Sequence, residues 1–215
     1  MITPRELLQN GTKELGLSLT IEQINSVFIY LAELKKWNRK INLTAIKDEA
    51  DIIIKHVLDS LSYVRGFNPA PGLRLLDMGS GAGFPALPIK IAFPGLSITM
   101  VDSIKKKASF LRHIIRTLKL TETEVLDTRA EELPGSLLST FDVVTARAFA
   151  DMKSAIVTGI PLLRPGGLMV LSRGPEETIS EQDLARAGVS LESRTDLTLP
   201  YSDYRRTIWV FKKAG

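Results

Sequence analysis

One acid and three glycines at alternate positions form the stretch of this chain whose spacing indicates chemistry most strongly. They are Asp77, at the end of an apolar run, and then Gly79, Gly81 and Gly83. A strand that ends in a glycine-rich turn lets a ligand come close to the backbone, because no Cβ blocks the approach. The apolar stretch 84–93 predicts a helix directly after the turn, and its first amides would point at the same ligand.

The spacing of the glycines distinguishes two classes of ligand. A dinucleotide fingerprint reads G-x-G-x-x-G, whereas here the third glycine comes one residue early and Phe84 takes the last position. The sequence D-x-G-x-G-x-G resembles the S-adenosylmethionine (SAM) sites of Rossmann-like methyltransferases. SAM carries an ammonium, a carboxylate and a sulfonium but no pyrophosphate, so Asp77 beside bare amides suits it. A tight turn that binds no ligand is the alternative.

A second acid follows the next apolar strand, 96–101. Asp102 lies nineteen residues after Gly83. An acid at the end of the second strand, about 20 residues after a glycine turn, is placed to accept hydrogen bonds from the ribose hydroxyls of an adenosine. Asp102 could also cap the helix that follows, and the two roles are compatible.

Composition limits the classes of protein to which the chain can belong. Its 215 residues, 44% of them hydrophobic, are enough for one α/β domain and a small extension. No Cys and only two His leave neither disulfides nor a typical zinc site. Because the chain shows neither a signal-peptide pattern nor an apolar run near ~18 residues, we expect a cytoplasmic, soluble protein without membrane or metal. The net charge of +4 permits a polyanionic partner.

The order of the predicted elements specifies the fold. Strands and helices alternate after residue 73, which predicts an α/β, Rossmann-like methyltransferase fold with a doubly wound, mostly parallel seven-stranded sheet. The predicted strands are 73–76, 96–101, 124–126, 141–146, 168–172, 189–199 and 207–211, and the last two pair antiparallel. A ligand should bind at the carboxyl ends of the parallel strands, where the glycine turn and Asp102 lie.

Three helices are predicted before the sheet. Thr3 and Thr20 each begin a capping box, and Asp48 caps the third helix. The linker 68–72 contains two prolines and a glycine, which interrupt regular structure. We therefore predict a helical extension over residues 1–67 and a SAM-dependent methyltransferase domain over 68–215.

Motifs spread along nearly the whole chain identify a family. They are Leu34-x-x-Trp37-Asn38-x-x-x-Asn42-Leu43-Thr44, His56-x-x-Asp59-Ser60-Leu61, 77–85, Asp102-Ser103-x-x-Lys106-Lys107, Arg129-Ala130-Glu131, Thr145-Ala146-Arg147-Ala148 and Arg206-Thr207. In these motifs the chain resembles the bacterial 16S ribosomal RNA guanine-N7 methyltransferases, the glucose-inhibited division protein B family. The first two motifs lie outside the SAM fold and are therefore more specific than the glycines. The chain departs from the family pattern at two places. Ala86 stands where the family often has a glycine, and Arg173-Gly174 stands where it often has a lysine-glycine pair.

The resemblance implies that SAM is the cofactor and indicates which residues contact it. The implied contacts are Gly79, Phe84, Ala130, Glu131 and Arg147, beside Asp77, Gly81, Gly83 and Asp102 from the motif itself. Three of these residues have a plainer alternative: Phe84 could belong to the core, Glu131 could be a solvated acid at a helix start, and Arg147 could form a surface ion pair. His56 is expected to be structural, hydrogen-bonded to Asp59 on the same helix.

Basic residues are candidates for contacts to RNA phosphates. Those predicted to bind RNA are Lys106, Lys107, Arg205 and Arg206. The sequence contains three basic clusters. One is Lys105, Lys106 and Lys107 with Arg112, Arg116 and Lys119, the second is Lys35, Lys36, Arg39 and Lys40 beside Trp37, and the third is Arg205, Arg206, Lys212 and Lys213. A solvated helix face is the usual reason for a run of lysines and is the alternative here.

No general base is evident in the sequence, and no catalytic residue is assigned. Guanine N7 has a lone pair and no proton to lose, so its methylation depends on alignment of the reacting atoms. The resemblance implies SAM-dependent methylation of guanine N7 in small-subunit ribosomal RNA, naked or within a ribosomal particle, by a monomer. The alternatives are a small-molecule methyltransferase and a non-catalytic RNA-binding assembly factor that holds SAM.

Overall fold

A computed structural model describes residues 2–147, 149 and 151–215, and Met1, Ala148 and Ala150 lie outside this description. The described strands are β1 (Arg74–Met78), β2 (Ser97–Val101), β3 (Thr123–Leu126), β4 (Phe141–Ala146), β5 (Leu163–Arg173), β6 (Val189–Thr198) and β7 (Arg205–Lys213). They form one sheet in the order β3-β2-β1-β4-β5-β7-β6. Strands β1 to β5 are parallel, and β7 lies antiparallel between β5 and β6. The predicted doubly wound, mostly parallel seven-stranded sheet is confirmed.

Helices precede, connect and cover these strands. The α-helices are α1 (Pro4–Glu14), α2 (Ile21–Asn38), α3 (Glu49–Ile52), α4 (Asp59–Ser62), α5 (Ala86–Ala92), α6 (Lys105–Leu118), α7 (Met152–Gly159) and α8 (Glu181–Ala187). A π-helix, Ile53–Leu58, joins α3 to α4, and short 3-10 helices cover Tyr63–Gly66, Ala130–Glu132, Gly135–Leu137 and Ile160–Leu162. The capping boxes predicted at Thr3 and Thr20 are both formed.

Two boundaries differ clearly from the sequence prediction. The helix predicted from residue 84 begins at Ala86, because the turn continues through Gly83 and the amide of Phe84 still donates to Ser80 O at 3.2 Å. The fifth strand begins at Leu163 rather than at 168. Its Pro-Gly-Gly sequence forms an irregularity within the strand instead of a turn before it. Neither difference moves the carboxyl ends of the strands.

The two faces of the sheet carry separate hydrophobic cores. Leu75 belongs to the core that includes residues of α1, α2, α5 and α6, whereas its neighbour Leu76 belongs to the core with α7 and α8. Alternate residues of a strand point to opposite faces, so both faces of β1 are covered by helices. Since the N-terminal helices share a core with the sheet, the division of the chain at 67/68 stays a prediction.

The segment before the sheet is one helical run with a change of pitch. Asp48 caps it by accepting a hydrogen bond from the Asp51 amide at 3.0 Å, as predicted. The π-helix that follows was not predicted. Such turns occur often at functional sites, and this one carries His56 and is followed at once by Asp59.

Membrane spans and metal clusters are both absent from the part of the chain that the structure describes. None of its helices combines the length and apolar character needed to cross a membrane. The same residues contain no group of three or more His, Cys, Asp or Glu that could hold a metal ion.

Candidate active site

The glycine turn lies at the carboxyl end of β1, as predicted. Gly79, Gly81 and Gly83 have φ angles of +67°, +57° and +97°. These values fall in the left-handed region, which glycine adopts without the penalty that a Cβ imposes. The backbone path therefore favours glycine at all three positions.

The three glycines differ in the space that a Cβ would have, and this indicates different roles for them. A Cβ on Gly79 would meet only the Phe149 ring, at 3.5 Å, and one on Gly81 would meet only Gly79 O, at 3.9 Å. A Cβ on Gly83 would instead overlap the Leu87 side chain of α5. Gly79 and Gly81 thus leave backbone open to a ligand, whereas Gly83 lets α5 approach the turn. A SAM contact by Gly83 stays a prediction.

Asp102 holds the glycine turn to the end of β2. Its Oδ2 accepts from the Gly81 amide at 2.8 Å and its Oδ1 from the Ile104 amide at 2.8 Å. The helix α6 has Ile104 as its N-cap, so the alternative that Asp102 caps this helix is wrong. A carboxylate offers about four acceptor positions, which leaves about two for further donors such as ribose hydroxyls.

Asp77 is a fully buried acid beneath the turn. Thr145 Oγ1 donates to its Oδ1 at 2.9 Å, while Oδ2 has no hydrogen-bond partner among the described residues. Burial raises the pKa of this carboxyl from 3.8 to about 7, against the lowering effect of its hydrogen bonds and of Arg147. A ligand cation near Oδ2 would restore the ionised form, and the ammonium of SAM is such a group.

Two further predicted SAM contacts follow β3. Ala130 is buried and Glu131 is exposed in the 3-10 helix Ala130–Glu132. The amide of Asp102 donates to Leu126 O, the last residue of β3, so this helix begins at the same edge of the sheet as Asp102. The structure therefore brings Ala130 and Glu131 to the expected edge, and their contact with SAM stays a prediction.

Phe84 lies inside an aromatic cluster rather than on an open surface. Its ring stacks on His56 with centroids 4.6 Å apart, and the Tyr30 ring lies 5.4 Å away. The hydroxyl of Tyr30 donates to Ala82 O at 2.6 Å, and this hydrogen bond ties α2 to the glycine turn. These contacts match the core alternative for Phe84, whose contact with SAM stays a prediction. No sequence pattern marked Tyr30.

Arg147 follows β4 and connects it to the helical run before the sheet. Its Nη2 donates to Lys55 O at 2.7 Å and to His56 Nδ1 at 2.8 Å. The same Nη2 lies 3.3 Å from Asp59 Oδ2, and Asp59 is 1% exposed. The ion pair considered for Arg147 therefore exists but is internal rather than on the surface. Its Nη1 is buried without a partner among the described residues.

The same network gives both ring nitrogens of His56 a partner. Nδ1 lies 2.8 Å from Arg147 Nη2, which only donates, and 3.1 Å from Lys55 O, which only accepts. Nε2 lies 2.7 Å from Thr44 Oγ1. Burial, and then the Arg147 charge, lower the pKa of His56 from 6.5 to about 4. The expected His56–Asp59 hydrogen bond is wrong, because Arg147 lies between the two side chains.

The motif from Asn38 to Thr44 carries Thr44 to this network. Asn38 Oδ1 accepts from the amides of Leu43 and Thr44 at 2.7 and 3.0 Å, and Nδ2 donates to Thr44 O at 2.8 Å. One asparagine thereby closes the loop after α2. The motif was evident in the sequence, but its contact with His56 was not, since the loop lies twelve residues away.

Comparisons with known proteins decide the family. The sequence model described as rRNA small subunit methyltransferase G (GidB) matches residues 23–208. A relative from Geobacter sp. strain M21 is 42% identical over 210 residues, which cover 96% of both chains. A relative from Geobacter metallireducens is 40% identical and covers 96% of this chain and 94% of its own. Both are named ribosomal RNA small subunit methyltransferase G.

This chain belongs to the rRNA small subunit methyltransferase G family. The family predicted from the sequence motifs is thereby confirmed. The solved structure of M. jannaschii TYW2 in complex with AdoMet is similar in fold, with a TM-score of 0.55 over 72% of this chain and 74% of that chain. At 12% identity this likeness concerns the fold alone.

In this family member the basic residues of β7 fall into two regions of the sheet. Thr207 pairs with Arg173, so Arg205 and Arg206 lie at the carboxyl end of β5. Lys212 pairs with Leu168, roughly 20 Å further along β7 at about 3.4 Å per residue. The structure thus brings Arg205 and Arg206, but not Lys212, to the edge that carries the glycine turn.

The four residues predicted to bind RNA differ in their solvent exposure and in the contacts that they already make within the protein. Lys106 and Arg205 are exposed, and Lys107 is half-buried in the first turn of α6. Arg206 is committed to an ion pair, since its Nε donates to Asp59 Oδ1 at 3.0 Å. Their contacts with RNA stay a prediction.

Proposed function

We propose that this protein transfers the methyl group of SAM to N7 of a guanine in small-subunit ribosomal RNA. The observation that carries the proposal is the match to one family over nearly the whole chain. The site agrees with it, since an open glycine turn and two acids meet at the carboxyl edge of the sheet. Open α/β sheets bind their ligands at this edge.

The residues at this edge fit SAM. Asp77 Oδ2 is a buried acceptor with no partner among the described residues, which suits the SAM ammonium. Asp102 is held by two amides and keeps acceptor positions for the ribose hydroxyls. Gly79 and Gly81 would let the ligand lie against the backbone, and Ala130 and Glu131 would contact the adenine edge. When bound, SAM supplies the methyl group.

The reaction needs alignment more than acid–base catalysis. Guanine N7 attacks through a lone pair and loses no proton, so positioning provides most of the rate enhancement. His56, near the glycine turn, is no free base, because both ring nitrogens already have partners within the protein, Nδ1 in Arg147 and Nε2 in Thr44. The residues of the site therefore act by binding and orienting the two substrates.

The setting of the reaction is part of the proposal. The protein works in the cytoplasm, as a monomer, on ribosomal RNA that is either naked or within a ribosomal particle. The N-terminal region 1–67 is a helical extension of the SAM-binding domain 68–215. The hydrogen bond from Tyr30 to Ala82 O supports a role for this extension in holding the glycine turn.

Transfer of labelled methyl groups tests the proposal. The full-length protein is incubated with labelled SAM and either small ribosomal subunits or naked RNA from a strain that lacks the gene. We expect label at N7 of a guanine in the small-subunit RNA. Binding of SAM and RNA without transfer would instead indicate an assembly factor, and transfer only to small molecules in a cell extract would indicate a small-molecule methyltransferase.

A further inference from the structure

A cavity of about 650 Å³ lies within the helical region before the sheet. Its lining residues come from α2, from the loop 39–48 and from α3. Leu34 and Ile52 are buried and give the cavity an apolar base, whereas Asn42 and Ala45 line it and are exposed to solvent. Binding sites for small groups are typically cavities of about 300–1,000 Å³ with an apolar lining and a few polar groups.

Asn42 supplies a free polar group to this cavity. In the family motif 34–44, Trp37 packs on α6, Asn38 closes the loop after α2, and Thr44 joins the hydrogen-bond network of the candidate active site. The exposed amide of Asn42 makes no hydrogen bond to the residues that the structure describes. Because Asn42 lines the cavity, its donor and its acceptor are both available to a ligand there.

The charges around the cavity are positive. Arg39 and Lys47 line it, are exposed and form no ion pair within the described part of the chain, whereas Lys35 is paired with Glu49. The described lining residues include no acid. Cations beside an apolar base and a free amide match a nucleotide, which joins a planar base with hydrogen-bonding edges to a phosphate.

The cavity lies close to the proposed SAM site but is separated from it by one side chain. Thr44, which lines the cavity, has its Oγ1 2.7 Å from His56 Nε2, and the His56 ring stacks on Phe84 just after the glycine turn. His56 therefore stands between the cavity and the glycine turn. The target guanine must reach the methyl group of SAM, so the cavity suits a neighbouring nucleotide rather than the target itself.

We propose that this cavity binds an unstacked base of the RNA strand near the target guanine. Asn42 contacts the edge of that base, and Arg39 and Lys47 lie near its phosphate. Sequence-specific RNA recognition uses single-stranded segments whose bases are splayed out and hydrogen-bonded at their edges. Holding a neighbouring base fixes the strand and so orients the guanine, on which the reaction depends. The inference rests on the proposed function and assigns part of substrate recognition to the helical region before the sheet.

Three variants probe the cavity without changing a residue proposed to bind SAM. Ala45→Trp fills it from an exposed position, Asn42→Ala removes the free amide, and Lys47→Gln removes one cation. Asn68→Ala is the matched control, because Asn68 is also exposed but lines another cavity at the amino edge of the sheet. RNA affinity is measured with in-vitro transcribed small-subunit RNA at several salt concentrations. Calorimetry gives the SAM affinity, and the melting temperature is measured for each variant.

We expect Ala45→Trp and Asn42→Ala to weaken RNA binding about tenfold, as for the loss of one base contact. Asn42→Ala removes no cation, so the slope of log K against log salt should not change, whereas Lys47→Gln should reduce this slope by about 0.7. SAM affinity should stay within about twofold and the melting temperature should be unchanged in all three variants. Asn68→Ala should bind RNA like the wild type.

Abasic nucleotides identify the base that enters the cavity. Synthetic RNA that contains the methylated guanine is made with an abasic nucleotide at each neighbouring position in turn. At one position we expect the abasic RNA to bind the wild-type protein about tenfold more weakly. On that RNA, Asn42→Ala and Ala45→Trp should cause no further loss, because two changes that remove the same contact are not additive.

Any of three results would overturn the inference. The first is unchanged RNA affinity in Ala45→Trp and Asn42→Ala. The second is an equal loss in these variants on the intact RNA and on every abasic RNA, which would show that they act through the fold of the loop. The third is normal binding of naked RNA with loss of methylation on ribosomal particles alone, which would assign the cavity to a ribosomal protein.

Failure of the proposed function is seen separately, as absence of methyl transfer by the wild-type protein. The affinity comparison with transcribed RNA does not depend on that transfer.

Discussion

Asp59 Oδ2 lies 3.3 Å from Arg147 Nη2, and this contact joins the helical run before the sheet to the end of β4. The two residues are 88 positions apart in the chain, and Asp59 is almost fully buried. The same carboxylate accepts from Arg206 of β7. One acid therefore fixes two arginines at the edge where the substrates are proposed to bind.

Replacing Asp59 should destabilise the protein strongly. Asp59→Ala leaves the charges of Arg147 and Arg206 without their carboxylate, and removal of one partner of a buried pair costs about 3 kcal/mol or more. Urea denaturation measures this free energy of unfolding. The control is Glu192→Ala, which breaks a half-exposed pair with Lys212 and should cost less than about 1 kcal/mol. Equal effects of the two substitutions would show that Asp59 does not hold the arginines.

The ionised Asp77 carboxylate should support SAM binding but lower the free energy of unfolding, so its effect on stability should depend on pH. Its pKa is raised from 3.8 to about 7 in the folded state, so the folded protein loses stability as the pH rises through this range. The difference corresponds to roughly 4 kcal/mol. In the absence of SAM, Asp77→Asn should therefore be more stable than wild type at pH 8 and nearly equal to it at pH 4, while binding SAM more weakly.

Thermal melting at several pH values measures this effect. Asp127→Asn is the control with the opposite sign, because hydrogen bonding from Arg112 lowers the pKa of that exposed carboxyl. Asp127 stabilises the fold above its ordinary pKa, and that contribution disappears as the pH falls. If Asp77→Asn were the less stable protein at pH 8, burial would not govern the Asp77 carboxyl.

Asp102 should contribute both to the stability of the fold and to SAM binding. Asp102→Ala removes the acceptor of the Gly81 and Ile104 amides and should lower the free energy of unfolding by about 2 kcal/mol. Removal of a charged hydrogen bond to the ribose should weaken SAM binding by ~1.5–3 kcal/mol in calorimetry. Asp127→Ala, at the end of the neighbouring β3, is the control. Unchanged SAM affinity in a folded Asp102→Ala protein would reject the ribose role.

Lys106 and Lys107 should act on RNA and not on SAM. Charge reversal of both should weaken RNA binding and flatten its salt dependence by about 0.7 to 0.9 for each phosphate that is no longer bound. Charge reversal of Lys212 and Lys213 is the matched control, because these lysines lie at the end of β7 that is far from the glycine turn. Circular dichroism checks that both double variants are folded. Identical slopes for the two double variants would return Lys106 and Lys107 to the role of a solvated helix face.

The sequence was sufficient for the architecture and for the acids of the site. Apolar runs and glycine turns are local patterns, so neighbouring residues were enough to predict the strands, the positions of Asp77 and Asp102 near strand ends, and the capping boxes at Thr3 and Thr20. The family motifs likewise marked Thr44, His56 and Asp59. They did so without indicating what these side chains contact.

The contacts that join distant parts of the chain could not be predicted. Arg147 reaches His56 across 91 residues, and Tyr30 reaches Ala82 across 52. Such pairs depend on how α2 and the π-helix pack against the sheet, which no local pattern specifies. The expected His56–Asp59 hydrogen bond is not formed, because Arg147 from the end of β4 lies between the two side chains.

Methylation of guanine N7 is tested most directly by mapping N7-methylguanine in small-subunit ribosomal RNA. The RNA is taken from cells with the gene, from cells without it, and from cells without it that express either wild type or Asp102→Ala. We predict one N7-methylguanine that disappears with the gene, returns with the wild-type protein and stays reduced with Asp102→Ala. An identical N7-methylguanine pattern in cells with and without the gene would contradict the proposed function.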